Sequence, residues 1–168
     1  MVVVAYAFAA GLGEIGAVAL TTGYLPPQPV AAAGYVALEG LVLLTLAVAL
    51  STRLGVITGG AVAVVLYGMA WVLGVVGQAG TILGNEAIRL AGTMSRIILP
   101  TDVAWRGAIA SLEPGITSLL ALGRPRLIFA VNPFYAAAPP PPPQILYVVA
   151  WIVAVLVLAT VLFSRREL

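Results

Sequence analysis

The sequence predicts an all-α fold, a polytopic membrane helix bundle with about four transmembrane helices and short amphipathic helices between the third and the fourth. The first observation is the stretch 55–83, which runs for about 29 residues without a charged side chain. A helix needs roughly 20 mostly apolar residues to cross a bilayer. The second observation is composition, because 62% of the residues are hydrophobic and only 8% are charged. Long apolar runs of this kind are typical of membrane helices, which satisfy their own backbone hydrogen bonds in lipid.

Four apolar stretches form a single predicted transmembrane domain. The first stops at a proline-rich turn, because consecutive prolines cannot continue a helix. A short polar turn around Arg53 separates the second from the third. A run of five prolines, 139–143, predicts a stiff extended spacer before the fourth. The predicted spans are 1–24, 30–50, 55–83 and 145–163.

Arginines at the ends of the spans indicate the topology. Loops on the cytoplasmic side carry an excess of basic residues, so Arg53, Arg165 and Arg166 mark that side and the C-terminus is expected to be cytoplasmic. Four crossings then place Met1 on the same side and the segment 84–144 outside, although this segment contains five arginines. Arg165 and Arg166 could alternatively dock a partner protein.

The segment 84–144 is predicted to contain short helices. Residues 85–99 show a helical period, so they can lie in the plane of the interface with their arginines toward the headgroups. Pro100 ends this helix, and Thr101 or Asp102 is expected to cap a second one over 103–112. Asp102 and Arg106 are spaced i, i+4, which predicts an exposed ion pair that supports the second helix. The candidate interfacial residues are Arg89, Arg96, Asp102, Trp105 and Arg106.

Glu14 and Glu39 are the only acidic residues inside the predicted spans. An ionised side chain at mid-bilayer costs roughly 2.5–3.5 kcal/mol, so each is expected to face protein or water. They are candidates for lining a translocation path or for a structural hydrogen bond to a neighbouring helix. Glu39, in the outer half of its span, could instead reach the headgroups. Two G-x-x-x-G patterns permit close helix approach, either in a contact between two copies or by chance spacing. These candidate packing glycines are Gly55, Gly59, Gly80 and Gly84.

Composition disfavours several classes of protein. Cysteine and histidine are absent, which removes disulfides, thiol nucleophiles, imidazole bases and the usual zinc ligands. We therefore expect no catalytic, cofactor or metal site, and spans without His, Cys, Asp or Lys disfavour a membrane-embedded enzyme. All eight basic residues are arginine, and a net charge of +2 is too small for a nucleic-acid interface.

The chain opens directly in apolar sequence, MVVVAYAF. A multi-pass protein normally begins with a polar cytoplasmic leader, and no charged n-region of a signal peptide is present. We therefore expect this chain to be the later part of a longer protein, or one whose first helices are missing.

Four features carry a resemblance to a known family. They are the LSTRLG turn at Leu50–Gly55, the glycine-rich third span with Tyr67 and Trp71, the stretch ILPTDVAWRGAIASLEP at Ile98–Pro114, and a final span that ends in SRREL. In this order they resemble the permease subunit of ABC-2 type ABC transporters. The four spans look like the third to sixth of the six in that family, whose outer amphipathic helices precede the last span. The family's first two spans and its cytoplasmic coupling helix have no counterpart here.

The resemblance implies a transport function. It implies a permease that works by alternating access, commonly as an exporter, in the plasma membrane of a prokaryote. It also implies a second permease copy and a separate ABC ATPase subunit that binds ATP and Mg²⁺, and the chain itself has no G-x-x-x-x-G-K-[ST] loop for phosphates. The alternative function is that of a non-catalytic accessory or scaffold protein in a larger membrane complex.

Overall fold

The computed structural model describes residues 2–113, 136 and 138–165, and in this part of the chain it contains six α-helices and no strand. The predicted all-α class is confirmed. The four long, apolar helices are the ones expected to span a membrane, and two shorter helices lie between the third and the fourth. The helices are α1 (Val2–Thr22), α2 (Pro29–Ser51), α3 (Val56–Leu83), α4 (Glu86–Ile98), α5 (Thr101–Leu112) and α6 (Pro142–Ser164).

The first three helices form an antiparallel series joined by short turns. Gly23 follows α1 with a φ of 74°, a left-handed conformation that favours glycine, and Pro29 opens α2, where its missing N–H is not needed. Gly55 precedes α3 and has no neighbour within 4 Å of where a Cβ would lie. At Gly59 a Cβ would lie 2.7 Å from the Ser51 hydroxyl, so Gly59 allows α2 and α3 to meet closely beside the turn.

A tight turn reverses the chain from α3 into α4. Gly84 caps α3 with a φ of 69°, and the Asn85 side chain then accepts a hydrogen bond from the backbone N–H of Ile88 at 3.2 Å, which caps the start of α4. Gly80 makes room for α4, because a Cβ there would lie 2.7 Å from the backbone nitrogen of Arg89. Gly59, Gly80 and Gly84 therefore serve turns and contacts within this chain.

Helix α4 runs back along α3. Gly77 and Gly92 meet so closely that a Cβ on either would lie 2.5 Å from the other's Cα. Further on, the Ser95 hydroxyl donates to the backbone carbonyl of Ala70 at 3.1 Å. Ala70 is near the middle of α3, so α4 begins at one end of the bundle and ends about halfway along it. The predicted position of this helix, in the plane of the interface, is wrong.

Helix α5 returns to the same end of the bundle along α2. Gly107 faces the ring of Tyr35, and the Ser111 carbonyl accepts a hydrogen bond from the Gln28 backbone N–H at 3.2 Å. Tyr24 donates to the Leu112 carbonyl at 2.6 Å. The pair α4–α5, residues 86–112, is thus a helical hairpin inserted into the bundle, and we call it the inserted hairpin.

The core forms where the tip of the inserted hairpin meets the middle of the long helices. Its apolar side chains come from α2, α3, α5 and α6 and from the residue that follows α4, and α2 touches α1, α3, α5 and α6. The buried core residues are Val42, Ala70, Leu99, Val103, Val148 and Ile152.

Helix α6 runs parallel to α2 and begins earlier than predicted. Pro142 and Pro143 form its first turn, where proline is tolerated, so the extended spacer cannot include them. Near its other end, Phe163 lines one groove with Ser51 and Val56. The C-terminal end of α6 and the turn that carries Arg53 therefore lie at the same end of the bundle, which we call the Arg53 end.

Candidate functional site

The tip of the inserted hairpin lies deep in the apolar bundle. Helix α4 has 13 residues, about 20 Å at 1.5 Å per residue, and it ends beside the middle of α3. Since α3 is apolar enough to span a bilayer, a span centred on the middle of this helix puts the tip residues 99–102 at the level of the membrane centre. All four are buried, as non-helical backbone at this depth must be.

Two aromatic side chains of α6 cap the tip. The last carbonyls of a helix have no partner within it, and at this depth no water can replace one. Tyr147 donates a hydrogen bond to the carbonyl of Ile97. The indole N–H of Trp151 donates to the carbonyl of Ile98 at 3.0 Å. The end of α4 is therefore held by α6.

An ion pair crosses the hairpin just behind the tip. Arg96 Nε of α4 lies 2.5 Å from Asp102 Oδ2 of α5, and the side chain of Asp102 is 4% exposed while that of Arg96 is 30% exposed. Arg96 also donates to the Gly74 carbonyl at 3.4 Å. Gly74 makes room for this pair, because a Cβ there would lie 2.7 Å from Asp102 Oδ1. The predicted exposed pair of Asp102 with Arg106 is wrong, since Asp102 is buried and pairs across the hairpin.

Three further polar side chains surround this ion pair. Arg106 is half-buried one turn after Asp102. Its guanidinium stays charged at any physiological pH, so it adds a second positive charge beside the ion pair. Tyr67 of α3 donates a hydrogen bond to Glu39 Oε1 of α2, and the Glu39 and Asp102 carboxylates are near enough for their like charges to repel each other.

We call the set Glu39, Tyr67, Arg96, Asp102 and Arg106 the intramembrane polar cluster. It contains two acidic and two basic side chains, so its formal charges balance. Every helix in contact with the tip except α6 contributes at least one side chain to the cluster. Helix α6 instead binds the backbone carbonyls at the end of α4 through its own side chains. A movement of any of these helices must therefore rearrange hydrogen bonds or ion pairs that water cannot replace.

A groove of about 350 Å³ opens beside the cluster between α4, α5 and α6. The Arg96 side chain forms part of its wall, and the remainder is mostly apolar. An apolar groove with one cationic and a few hydrogen-bonding groups is suited to an amphipathic molecule. The lining residues are Thr93, Arg96, Ile97, Val103, Pro143, Gln144 and Tyr147.

The structure places the predicted site residues in three regions. Glu39 lies next to the middle of α2, deeper than the outer-half position predicted, and it joins the cluster. Trp105 also lies deep, because its ring packs edge-on against Trp71 of α3 with centroids 5.7 Å apart. Of the candidate interfacial residues, Arg89 alone is exposed. It lies at the start of α4, where it pairs with Glu86 at 2.7 Å.

Glu14 lies apart from the cluster, and the basic topology markers lie at the Arg53 end. Glu14 is exposed on α1, which contacts α2 alone in the described part of the chain. Arg53 and Arg165 are exposed. Arg166 falls outside the described residues.

Sequence reasoning missed the capping aromatics and four of the close-contact glycines, Gly74, Gly77, Gly92 and Gly107. Gly74 and Gly77 continue a three-residue spacing to Gly80, and such a row of small residues predicts the face of α3 on which another helix packs. No comparable signal identifies Tyr147 and Trp151 as caps, because their partners are backbone carbonyls about 50 residues earlier in the chain.

The fold and the site together define a multi-pass membrane protein with four candidate spans and an inserted, charged hairpin. No protein-family model, curated protein or solved structure matches the chain.

Proposed function

We propose that this chain is the membrane-spanning permease subunit of an ATP-driven ABC transporter of the ABC-2 type, acting as an exporter. The observation that carries the proposal is the inserted hairpin, which brings Arg96 and Asp102 to the membrane centre. Charged groups at this depth are expensive to bury, and in membrane proteins they commonly mark substrate pathways. The position of the hairpin before the last span agrees with the family order that the sequence resembles.

In this proposal the intramembrane polar cluster is a two-state element. One state is the arrangement described above, in which Arg96 pairs with Asp102 and Glu39 with Tyr67. A separate ATPase subunit, which binds ATP and Mg²⁺, stabilises a second arrangement of the spans and so changes the side on which the pathway opens. The groove beside Arg96 would hold an amphipathic substrate.

The proposed orientation follows the basic residues at the Arg53 end. Placing that end in the cytoplasm of a prokaryotic cell, with the chain in the plasma membrane, puts Arg53 and Arg165 where basic residues are most frequent. The ATPase would then dock at the Arg53 end, and the inserted hairpin would enter the membrane from outside. A second permease copy would complete the pathway.

Co-purification tests the proposal directly. The tagged chain, extracted in mild detergent from its own host, should bring down an ATPase in fixed ratio, and the complex in liposomes should hydrolyse ATP. A single cysteine at Met94, exposed on α4, should then react with a water-soluble maleimide at a rate that changes several-fold when ATP and vanadate are added. A cysteine at Val64, exposed on α3, is the matched control and should not respond.

A chain that purifies without a nucleotide-dependent partner would contradict the transport proposal. It would favour the alternative, an accessory or scaffold protein of a larger membrane complex. An ATPase that co-purifies without any nucleotide response at Met94 would contradict the role given to the inserted hairpin while leaving the subunit assignment standing.

A further inference from the structure

Glu14 presents a carboxylate to the outside of the bundle near the middle of α1. It is two residues from the centre of a 21-residue apolar helix, and its side chain is exposed. At this depth the surroundings of an exposed side chain are hydrocarbon, where an ionised group is strongly disfavoured. Glu14 therefore needs a partner that the described part of the chain does not supply.

Among the described residues no basic side chain lies on α1 or on α2, the helix that α1 contacts. Arg96 pairs with Asp102, and Arg89 pairs with Glu86. Arg53 lies in the turn after α2, at the end of the bundle and not at its middle. Within the part of the chain that the structure describes, no helix supplies a counter-charge for Glu14.

The surface around Glu14 is shaped for close approach. Ala9, Gly13 and Ala17 are all exposed and are spaced four residues apart, so they form one row along α1 beside Glu14. Small side chains in such a row allow the backbone of a second helix to come close, which strengthens van der Waals contact and interhelical hydrogen bonds. We call Ala9, Gly13, Glu14 and Ala17 the outer α1 face.

Charge complementarity decides which helix can occupy this face. A symmetric contact between two copies of the chain would use the same residues on both sides and would set one Glu14 carboxylate against another. Like charges at close range are unfavourable. A helix with an arginine or lysine at its middle would instead neutralise Glu14 and fill the row of small residues.

We infer that the outer α1 face is the docking site of a partner subunit's transmembrane helix that carries a basic side chain at mid-membrane depth. This inference does not depend on the proposed transport function, because it follows from Glu14 and from the row of small residues beside it. The outer α1 face is thus assigned to a contact between two different subunits.

The absence of cysteine from the sequence makes a cross-linking test direct. The probe is a synthetic transmembrane peptide of leucine and alanine with one central lysine, small residues four positions to either side, and one cysteine a turn from the lysine. A second peptide has leucine in place of the lysine. Each is reconstituted in liposomes with the Ala17→Cys chain, and the yield of mixed disulfide is measured after mild oxidation.

We expect the lysine peptide to give about tenfold more mixed disulfide than the leucine peptide, as for a difference of one strong interhelical polar contact. Glu14→Leu in the Ala17→Cys chain should abolish this preference, and Glu14→Gln should leave part of it. Val157→Cys, which places the thiol on an exposed part of α6, is the control and should not distinguish the peptides.

Equal yields with the two peptides would overturn the inference, and so would a preference that persists in Glu14→Leu. A predominant disulfide between two Ala17→Cys chains would also overturn it, because a second copy would then occupy the face. The comparison of the two peptides needs no change at Glu14, so it remains decisive if a Glu14 variant fails to fold.

Discussion

Gly77→Ala should separate the inserted hairpin from α3 and destabilise the fold. The new Cβ would lie 2.5 Å from the Cα of Gly92, whereas carbon atoms pack at about 3.5–4.0 Å. The two helices must therefore move apart by about 1 Å. Overpacking typically costs about 1–3 kcal/mol, and we expect the upper end here because the opposing atom is backbone and cannot rotate away.

Gly68→Ala is the matched control on the same helix. Gly68 has no neighbour within 4 Å of the point where a Cβ would lie, so alanine there changes only the helix propensity, which favours alanine by roughly 1 kcal/mol. Both variants gain this propensity term, so the difference between them reports the clash at Gly77. The free energy of unfolding is measured by circular dichroism during titration from mild detergent into sodium dodecyl sulfate.

Equal unfolding free energies for Gly77→Ala and Gly68→Ala would refute the close contact between α3 and α4. The double variant Gly77→Ala with Gly92→Ala provides a second check. Substitutions at residues in contact do not have additive effects on the free energy of unfolding. Once the first methyl group has separated the helices, the second should therefore cost less stability. A cost equal to the sum of the two single variants would show that the two glycines do not meet.

Three other substitutions test the polar contacts of the hairpin by the same unfolding titration. Asp102→Asn leaves the Arg96 charge without its partner, and removing one partner of a buried ion pair costs about 3–5 kcal/mol; we expect somewhat less here because Arg96 is 30% exposed. Adding Arg96→Met should recover most of this loss, and no recovery would contradict the ion pair. Tyr67→Phe removes the donor and Glu39→Met the acceptor of the same hydrogen bond, so each should cost about 1–3 kcal/mol. A double variant that costs the full sum of the two would argue against this hydrogen bond. Trp151→Phe removes the donor to the last carbonyl of α4, which should cost about 1–3 kcal/mol. It should also increase hydrogen exchange of the backbone amides at the tip, and unchanged exchange would contradict the capping role.

The long helices could be predicted because their signal is local. A run of apolar residues long enough to cross a bilayer needs no information about its neighbours, and α3 illustrates this, since the predicted 55–83 and the observed Val56–Leu83 differ by one residue. The start of α5 was less predictable. Thr101 is its first helical residue, and neither Thr101 nor Asp102 caps it through a side chain, because Asp102 is committed to the ion pair with Arg96.

The placement of α4 could not be read from its own sequence. A helix with polar and apolar faces suits a membrane interface and a charged protein interior equally well, and Arg96 marks the polar face in both cases. Tertiary structure decides between them through Gly77 and Gly92, which let α4 lie against α3. Local spacing likewise favoured an ion pair of Asp102 with Arg106. The actual partner, Arg96, lies six residues earlier, and Asp102 can reach it only because the chain turns at Pro100.

The caps on the hairpin tip couple it mechanically to the last helix. The carbonyls of Ile97 and Ile98 have their partners on α6, and buried carbonyls left unpaired at this depth are costly. A shift of α6 along its axis by even half a turn, about 2.7 Å, would break both hydrogen bonds unless the tip followed. Because α6 also extends to the Arg53 end, we expect a displacement of its C-terminal end to reach the Arg96–Asp102 pair through this helix.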